Sequence, residues 1–200
     1  MNAWKLMVFV LCLLPLGYLG LGIYEEDLGP NPVEYLTHET GIWALRLLLL
    51  TLAITPLRRF TGWRRPVMLR RMLGLFSFFY ACLHLLIWLW LDRELIWSGM
   101  FDDVLKRPYI TVGFIAFLIL SALAATSNSF SMQRLGRRWK RLHRFAYAAA
   151  ALGILHYLWL VKADLLHPMI YMVVFLLLMG LRLPGLPERK PMPFRRKVVS

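Results

Sequence analysis

Two histidines in this sequence sit where histidines are costly. His84 lies in RRMLGLFSFFYACLHLLIWLW and His156 in KRLHRFAYAAAALGILHYLWLV, each among apolar residues. An ionisable side chain in such a setting is a functional candidate by default. His84 stands thirteen residues beyond Arg71, and His156 twelve beyond Arg144. If both runs are helices rising from those basic borders, the 1.5 Å rise puts both imidazoles about 18–20 Å from the same boundary. Two neutral imidazoles facing each other at one level can supply both axial nitrogens of a haem iron, a low-spin arrangement suited to electron transfer. Hydrogen-bonded structural histidines are the alternative, and the matched depth favours the haem.

A third candidate, His143, lies thirteen residues before His156. A helix turns about 100° per residue, so His143 points roughly 140° away from His156 and sits about 20 Å nearer the basic border. The matching positions on the other helix, thirteen and fourteen before His84, are Arg71 and Arg70. A second symmetrical bis-histidine site therefore lacks a ligand. His143 is a candidate for contact with a haem propionate, a flavin phosphate or a second haem completed by another ligand; an interfacial histidine is the bland alternative. His38 and His167, beside Glu39 and Pro168, read as surface histidines of outer loops. Gly74, Ala81, Ala149 and Gly153 offer backbone space for a flat macrocycle, and Phe78, Trp88, Tyr157 and Trp159 offer aromatic packing. Close helix approach and an interfacial aromatic belt explain both sets better when they are taken alone.

The elements that must carry these residues follow from composition. The 200 residues are 59% hydrophobic, 14% aromatic and 18% charged, with mean hydropathy +0.57. Soluble domains are nearer 45–50% apolar and about 25% charged, so a water-soluble enzyme and a disordered chain are both excluded. A net charge of +13 invites a nucleic-acid reading, which needs accessible basic surface with exposed stacking aromatics. Here the basic clusters instead punctuate long uncharged runs. Cys12 and Cys82 both lie in apolar runs and form neither a disulfide framework nor a C-x-x-C site.

Those runs are Leu6–Tyr24, Thr40–Leu57, Met72–Leu91, Pro108–Gln133, Phe145–Val161 and Leu165–Leu181. A bilayer core takes roughly 20 helical residues, with about 17 tolerated, so the pattern predicts six membrane helices. The second run contains Arg46, expected near its outer end and snorkelling to the interface. The first run is longer than a typical signal-peptide core, and no small-x-small site precedes the acidic Glu25–Asp27 loop, so it reads as a retained helix. With Lys5 inside, 19 of the 24 basic residues and one of the eleven acids fall on the inner segments. This asymmetry places both termini in the cytoplasm.

The joints are short. An outer loop around Glu25–Glu39 carries Pro30 and Pro32, and an inner loop over Arg58–Arg71 carries Gly62 and Pro66. In the loop Asp92–Arg107, the apolar Leu95–Met100 reads as an amphipathic turn on the outer surface. Thr126–Ser131 is rich in side chains that can end the fourth helix by bonding its backbone. Residues 1–183 form the membrane domain, and 184–200 an extended basic, proline-containing tail. No internal repeat suggests a transporter with inverted halves. The arginine clusters Arg70–Arg71 and Arg137–Arg144 read first as topology and anionic-lipid contacts. Their functional alternative is clamping an anionic cofactor such as FMN phosphate. No glycine-rich nucleotide fingerprint or Walker loop is present, so nicotinamide binding is unsupported.

The stretches TGIWALRLLLLTLAITPLRR, RRMLGLFSFFYACLHLLIW, RPYITVGFIAFLILSALAATS and QRLGRRWKRLHRFAYAAAALGILHYLWLVK together resemble the MsrQ (YedZ) family. These are the haem-binding membrane subunits of bacterial periplasmic methionine sulfoxide reductase systems, within the wider ferric reductase-like transmembrane family. The resemblance covers nearly the whole chain. It implies an all-α, six-helix inner-membrane protein that binds haem b and FMN, with haem between the third and fifth helices. It implies electrons from the quinone pool or a cytosolic flavin reductase, passed to a periplasmic molybdopterin enzyme that repairs oxidised methionine. His84, His143 and His156 match the family's histidines implicated in haem binding. The chain is then an electron-transfer subunit rather than the substrate-reducing one. The competing classes are a stand-alone transmembrane ferric or quinone reductase, which needs no molybdenum partner, and a haem-free transporter or assembly factor, which purifies colourless.

Overall fold

The computed structural model describes residues 3–92, 104–161 and 164–183. All regular structure among them is helical. The order is α1 (Ala3–Tyr24), α2 (Pro32–Thr61), a 3-10 turn (Arg65–Leu69), α3 (Arg70–Ile87), a π-helical turn (Trp88–Asp92) and α4 (Pro108–Ala125). Two short helices, α5 (Ser129–Leu135) and α6 (Arg137–Leu142), lead into α7 (Phe145–Leu160) and α8 (Leu166–Gly180). Four helical stretches are long and apolar enough to cross a membrane: Ala3–Tyr24, Pro32–Thr61, Arg65–Leu91 and Pro108–Ala125. α7 and α8 have 16 and 15 residues. The segment Leu95–Met100 and the basic tail from 184 onward lie outside the described residues.

Two boundaries differ from the hydropathy reading. α2 starts eight residues before Thr40, because Asn31 caps it and Pro32 occupies its first turn. The Asn31 side chain accepts from the Glu34 amide at 3.3 Å and donates to the Glu34 carboxylate at 2.8 Å. This reciprocal cap draws His38 and Glu39 into the helix instead of leaving them in a loop. At its other end, α2 stops at Gly62, whose φ of 69° is the left-handed conformation glycine adopts without strain. α4 ends at Ala125, eight residues short of Gln133. Thr126 and Ser127 hydroxyls donate back to the carbonyls of Ala122 and Leu123 at 2.7 and 2.6 Å. Asn128 then caps α5 by accepting from the Ser131 amide at 2.7 Å.

α2 is the central element because it is apolar on two sides. One face packs Ala44, Leu47 and Ile54 against Leu73, Phe76 and Tyr80 of α3 and Cys12 of α1. The other packs Leu45, Leu48, Leu49 and Leu52 against Leu120 of α4 and Ala149, Ala150 and Ile154 of α7. α3 packs chiefly on α2, and α7 chiefly on α4. Around this core α1, α4 and α8 leave Leu11, Leu14, Leu118, Val173 and Leu177 exposed, the outward apolar surface that a helix presents to lipid.

Hydrogen bonds fix the helices where packing alone would let them slide. The buried Ser77 hydroxyl donates to the Ala44 carbonyl of α2 at 2.8 Å. Tyr80 does the same for α1: its hydroxyl donates to the Cys12 carbonyl at 2.8 Å and accepts from the Leu16 amide at 3.2 Å. Those two α1 groups are four residues apart, so the phenol is inserted into the helix ladder beside Pro15.

Arg46 lies fourteen residues into α2, not near an end, and does not snorkel. Its Nε donates to the Tyr171 hydroxyl of α8 at 2.9 Å, with its guanidinium 4.8 Å from the Trp43 ring centre. At the C-terminal end of α2, Arg59 donates to the carbonyls of Leu181 and Leu183 at 3.4 and 3.0 Å. Arg182 contacts the Tyr147 hydroxyl and the Leu52 carbonyl. These arginines thus tie α2, α7 and the end of α8 together.

Candidate functional site

His84 is three residues from the end of α3, and His156 four residues from the end of α7. Helices α3 and α7 rise in the same direction, so the two residues reach the same level. Their rings stand edge to face with centres 6.1 Å apart and planes at 84°. Both residues are half-buried and turned toward each other rather than outward.

Each ring is fixed from behind by a backbone carbonyl on a neighbouring helix. Nδ1 of His84 lies 2.8 Å from the Thr37 oxygen of α2, and Nδ1 of His156 lies 2.7 Å from the Tyr109 oxygen of α4. A carbonyl only accepts, so Nδ1 carries the proton in both rings and donates it. The tautomer leaves Nε2 as the lone-pair nitrogen of each neutral ring. Such an Nδ1–H to carbonyl bond is the usual outer support of a metal-ligating histidine.

This donor set fits a haem. Metal–imidazole bonds of about 2 Å put the centres of two rings sharing one metal roughly 6–6.5 Å apart, and the observed separation is 6.1 Å. Among the described residues no three His, Cys, Asp or Glu gather as a metal group. A haem iron needs only two protein ligands, because the macrocycle supplies the other four nitrogens. The backbone also makes room for the rings. A Cβ added at Gly41 would lie 2.9 Å from Nδ1 of His84, and one at Gly113 would lie 2.7 Å from Nδ1 of His156.

The small residues singled out by sequence do a different job. Gly74 and Gly153 face Thr51 and Leu45 of α2, at 3.9 and 3.6 Å from their virtual Cβ atoms, and Ala149 is buried in the same interface. They let helices approach. Phe78 stacks on Phe117 with centres 5.8 Å apart, and Tyr157 meets His38 at 5.6 Å. His38 is thus half-buried inside α2 near the pair rather than on a loop. His167 is exposed, 3.9 Å from Asp164. The residues that sequence reasoning missed are Thr37, Gly41, Tyr109 and Gly113. Thr37 and Tyr109 act through main-chain oxygens, which leave no side-chain signature.

His143 is not brought to the pair. It sits between α6 and α7, stacked on Trp139 at 3.8 Å. Its Nδ1 lies 3.2 Å from the Trp139 oxygen and its Nε2 3.3 Å from the Ser127 hydroxyl. Burial lowers its pKa below the ordinary histidine value, opposed by the carbonyl of Trp139, and the Arg70 charge lowers it further.

The family model for the ferric reductase like transmembrane component matches residues 40–154, which include His84 and end two residues before His156. No solved structure matches the chain. The protein-methionine-sulfoxide reductase heme-binding subunit MsrQ of Bordetella pertussis is 51% identical over 189 residues, 93% of this chain and 91% of that protein. The proteins of the same name from Herminiimonas arsenicoxydans and Rhodospirillum rubrum are 50% and 48% identical. They cover 89% and 93% of this chain, and 83% and 90% of their own lengths. At this identity and coverage, the chain belongs to the MsrQ family of ferric reductase-like transmembrane proteins.

Proposed function

We propose that this chain is the haem b-binding membrane subunit of a protein-methionine-sulfoxide reductase system, an electron carrier rather than the substrate-reducing partner. The observation that carries this reading is the facing pair His84 and His156, with both Nδ1 atoms on carbonyls and ring centres 6.1 Å apart. These two residues would hold the haem as axial ligands, and a haem so held supplies one-electron transfer at its iron. The protein's part is to hold both imidazoles neutral, orient their Nε2 atoms and exclude water from the space between four helices.

The topology in this reading is six spans, α7 and α8 joining the four longer helices, with both termini cytoplasmic in a bacterial inner membrane. The charge asymmetry of the segments supports it. Residues 1–183 form the membrane domain and 184–200 its tail. The haem pair lies in the outer half, close to a periplasmic partner, the molybdopterin-containing reductase that the resemblance implies. The quinone pool or a cytosolic flavin reductase is the donor in this scheme, with FMN as a second cofactor at the inner side; both rest on the resemblance. His143, at the inner border, is the candidate residue for that inner cofactor.

The test is anaerobic purification of the full chain with haem and flavin quantified, then His84→Ala and His156→Ala. Each substitution is expected to abolish the low-spin haem spectrum while leaving the protein in the membrane. Unchanged haem yield and spectrum in both variants would sink the assignment, and a colourless wild-type protein would favour a transporter or assembly factor. Turnover with ferric or quinone acceptors but none with a methionine sulfoxide reductase would favour the stand-alone reductase.

A further inference from the structure

The two halves of the histidine pair are built to one plan. The Thr37–His84 and Tyr109–His156 contacts each join residues 47 apart. Adding 72 to Thr37, Gly41 and His84 gives Tyr109, Gly113 and His156. The same offset relates the buried Ala44 to Ala116 and Leu48 to Leu120. It also relates Thr55 to Ser127, whose respective partners Arg70 and His143 are 73 apart. The hairpins α2–α3 and α4–α7 therefore repeat one unit in parallel, a relationship hidden in the sequence because few side chains are kept between the copies.

In each copy the helix facing the histidine carries a carbonyl and, one turn on, a glycine. For Gly41 the three nearest atoms to an added Cβ all belong to His84, at 2.9, 3.1 and 3.6 Å; for Gly113 all belong to His156, at 2.7, 3.0 and 3.1 Å. Glycines that only let helices approach should meet the neighbouring helix's packing atoms, as Gly74 and Gly153 do. These two instead make room for an imidazole edge. A side chain there would push Nδ1 off the carbonyl it donates to.

We propose that Gly41 and Gly113, with the carbonyls of Thr37 and Tyr109, are the positioning residues of a duplicated imidazole cradle that sets the tautomer, orientation and donor strength of His84 and His156. The inference rests on the haem reading of that pair. Hydrogen bonding at Nδ1 makes the opposite nitrogen more basic. That stabilises the oxidised iron, so disturbing the cradle raises the reduction potential.

The experiment uses the full-length haem-loaded protein. Gly41→Ala and Gly113→Ala are expected to retain haem, to change the low-spin electron paramagnetic resonance signal and to raise the potential, whereas Gly74→Ala changes neither. A second arm does not depend on those variants folding well. His84→Gly is titrated with imidazole and with 1-methylimidazole, which offers the same lone-pair nitrogen but no N–H for Thr37. Imidazole is expected to restore the low-spin spectrum with about tenfold tighter binding, the scale of one hydrogen bond. If the wild type has a low-spin bis-histidine haem but the glycine variants match it and the two imidazoles bind alike, the cradle is overturned. If the wild type lacks that haem, the underlying reading of the pair fails instead.

Discussion

His84 and His156 are 72 positions apart in the chain, yet their rings meet edge to face with centres 6.1 Å apart. Nothing in either helix alone requires this. It follows from two hairpins that bring residues of equal height to one gap. The spacing makes ligand replacement informative. His84→Met keeps a donor atom in the gap but replaces an imidazole by a thioether, and Met/His ligation raises the potential of a haem iron. A redox titration of this variant is expected to show bound haem at a higher midpoint than wild type. A midpoint at or below the wild-type value would mean that position 84 is not a ligand.

Tyr80 supports a second prediction, about the packing of the first helix. Its hydroxyl holds both the Cys12 carbonyl and the Leu16 amide of α1, and α1 otherwise has little buried surface. Tyr80→Phe removes both bonds and leaves α1 held by apolar contacts such as Phe9 on Phe76. The net loss is on the order of 1–2 kcal/mol. Cys12 is buried at 5% exposure in the wild type, so its alkylation rate reads the looseness of this contact. Faster labelling of Cys12 in the variant, located by mass spectrometry, is the expected result; unchanged labelling would show that Tyr80 does not anchor the helix.

Much of this arrangement is legible in the sequence. The near-equal distances of His84 and His156 from their basic borders, thirteen and twelve residues, predict two rings at one level, since depth along a helix is fixed by residue count, and the rings do meet. Helix ends are set by capping and side-chain bonds that hydropathy does not register. The sequence Asn31-Pro32-Val33-Glu34 is a capping signal, but the polar His38 and Glu39 just downstream give the segment the look of a loop. Arg46 looked terminal for the same reason, and its partner Tyr171 lies 125 residues away. Gly41 and Gly113 could not be told from packing glycines, because their purpose is defined by an imidazole on another helix. The 72-residue repeat was equally hidden. It is kept in backbone contacts and burial more than in residue identity.

Arg46 gives a prediction of the opposite kind, in which a charge is retained and its partner removed. Within the apolar bundle its Nε bonds the Tyr171 hydroxyl at 2.9 Å. Tyr171→Phe keeps the ring and deletes one acceptor from a half-buried cation. Hydrogen bonds to charged groups are worth about 1.5–3 kcal/mol. The variant should therefore melt at a lower temperature in detergent, and Arg46→Met combined with Tyr171→Phe should recover part of the loss by removing the stranded charge. Equal melting of the single variant and wild type would show that the pair contributes nothing.

His143 carries the pH prediction. Its burial beside Trp139, with the Arg70 charge adding to the effect, lowers its pKa in the folded protein. In the unfolded chain the value returns to about 6.5. The unfolded state therefore binds the proton more readily, and stability must fall as pH falls. The contribution is fully present above about pH 6.5 and is lost progressively as the pH drops through the folded value. His143→Gln keeps a polar group against Ser127 and Trp139 but cannot titrate. Melting temperatures of wild type and variant, measured in detergent from pH 8 to pH 5, should run parallel above pH 7 and diverge below it, with the wild type falling more steeply. Parallel curves across the whole range would remove His143 from the acid sensitivity of the fold.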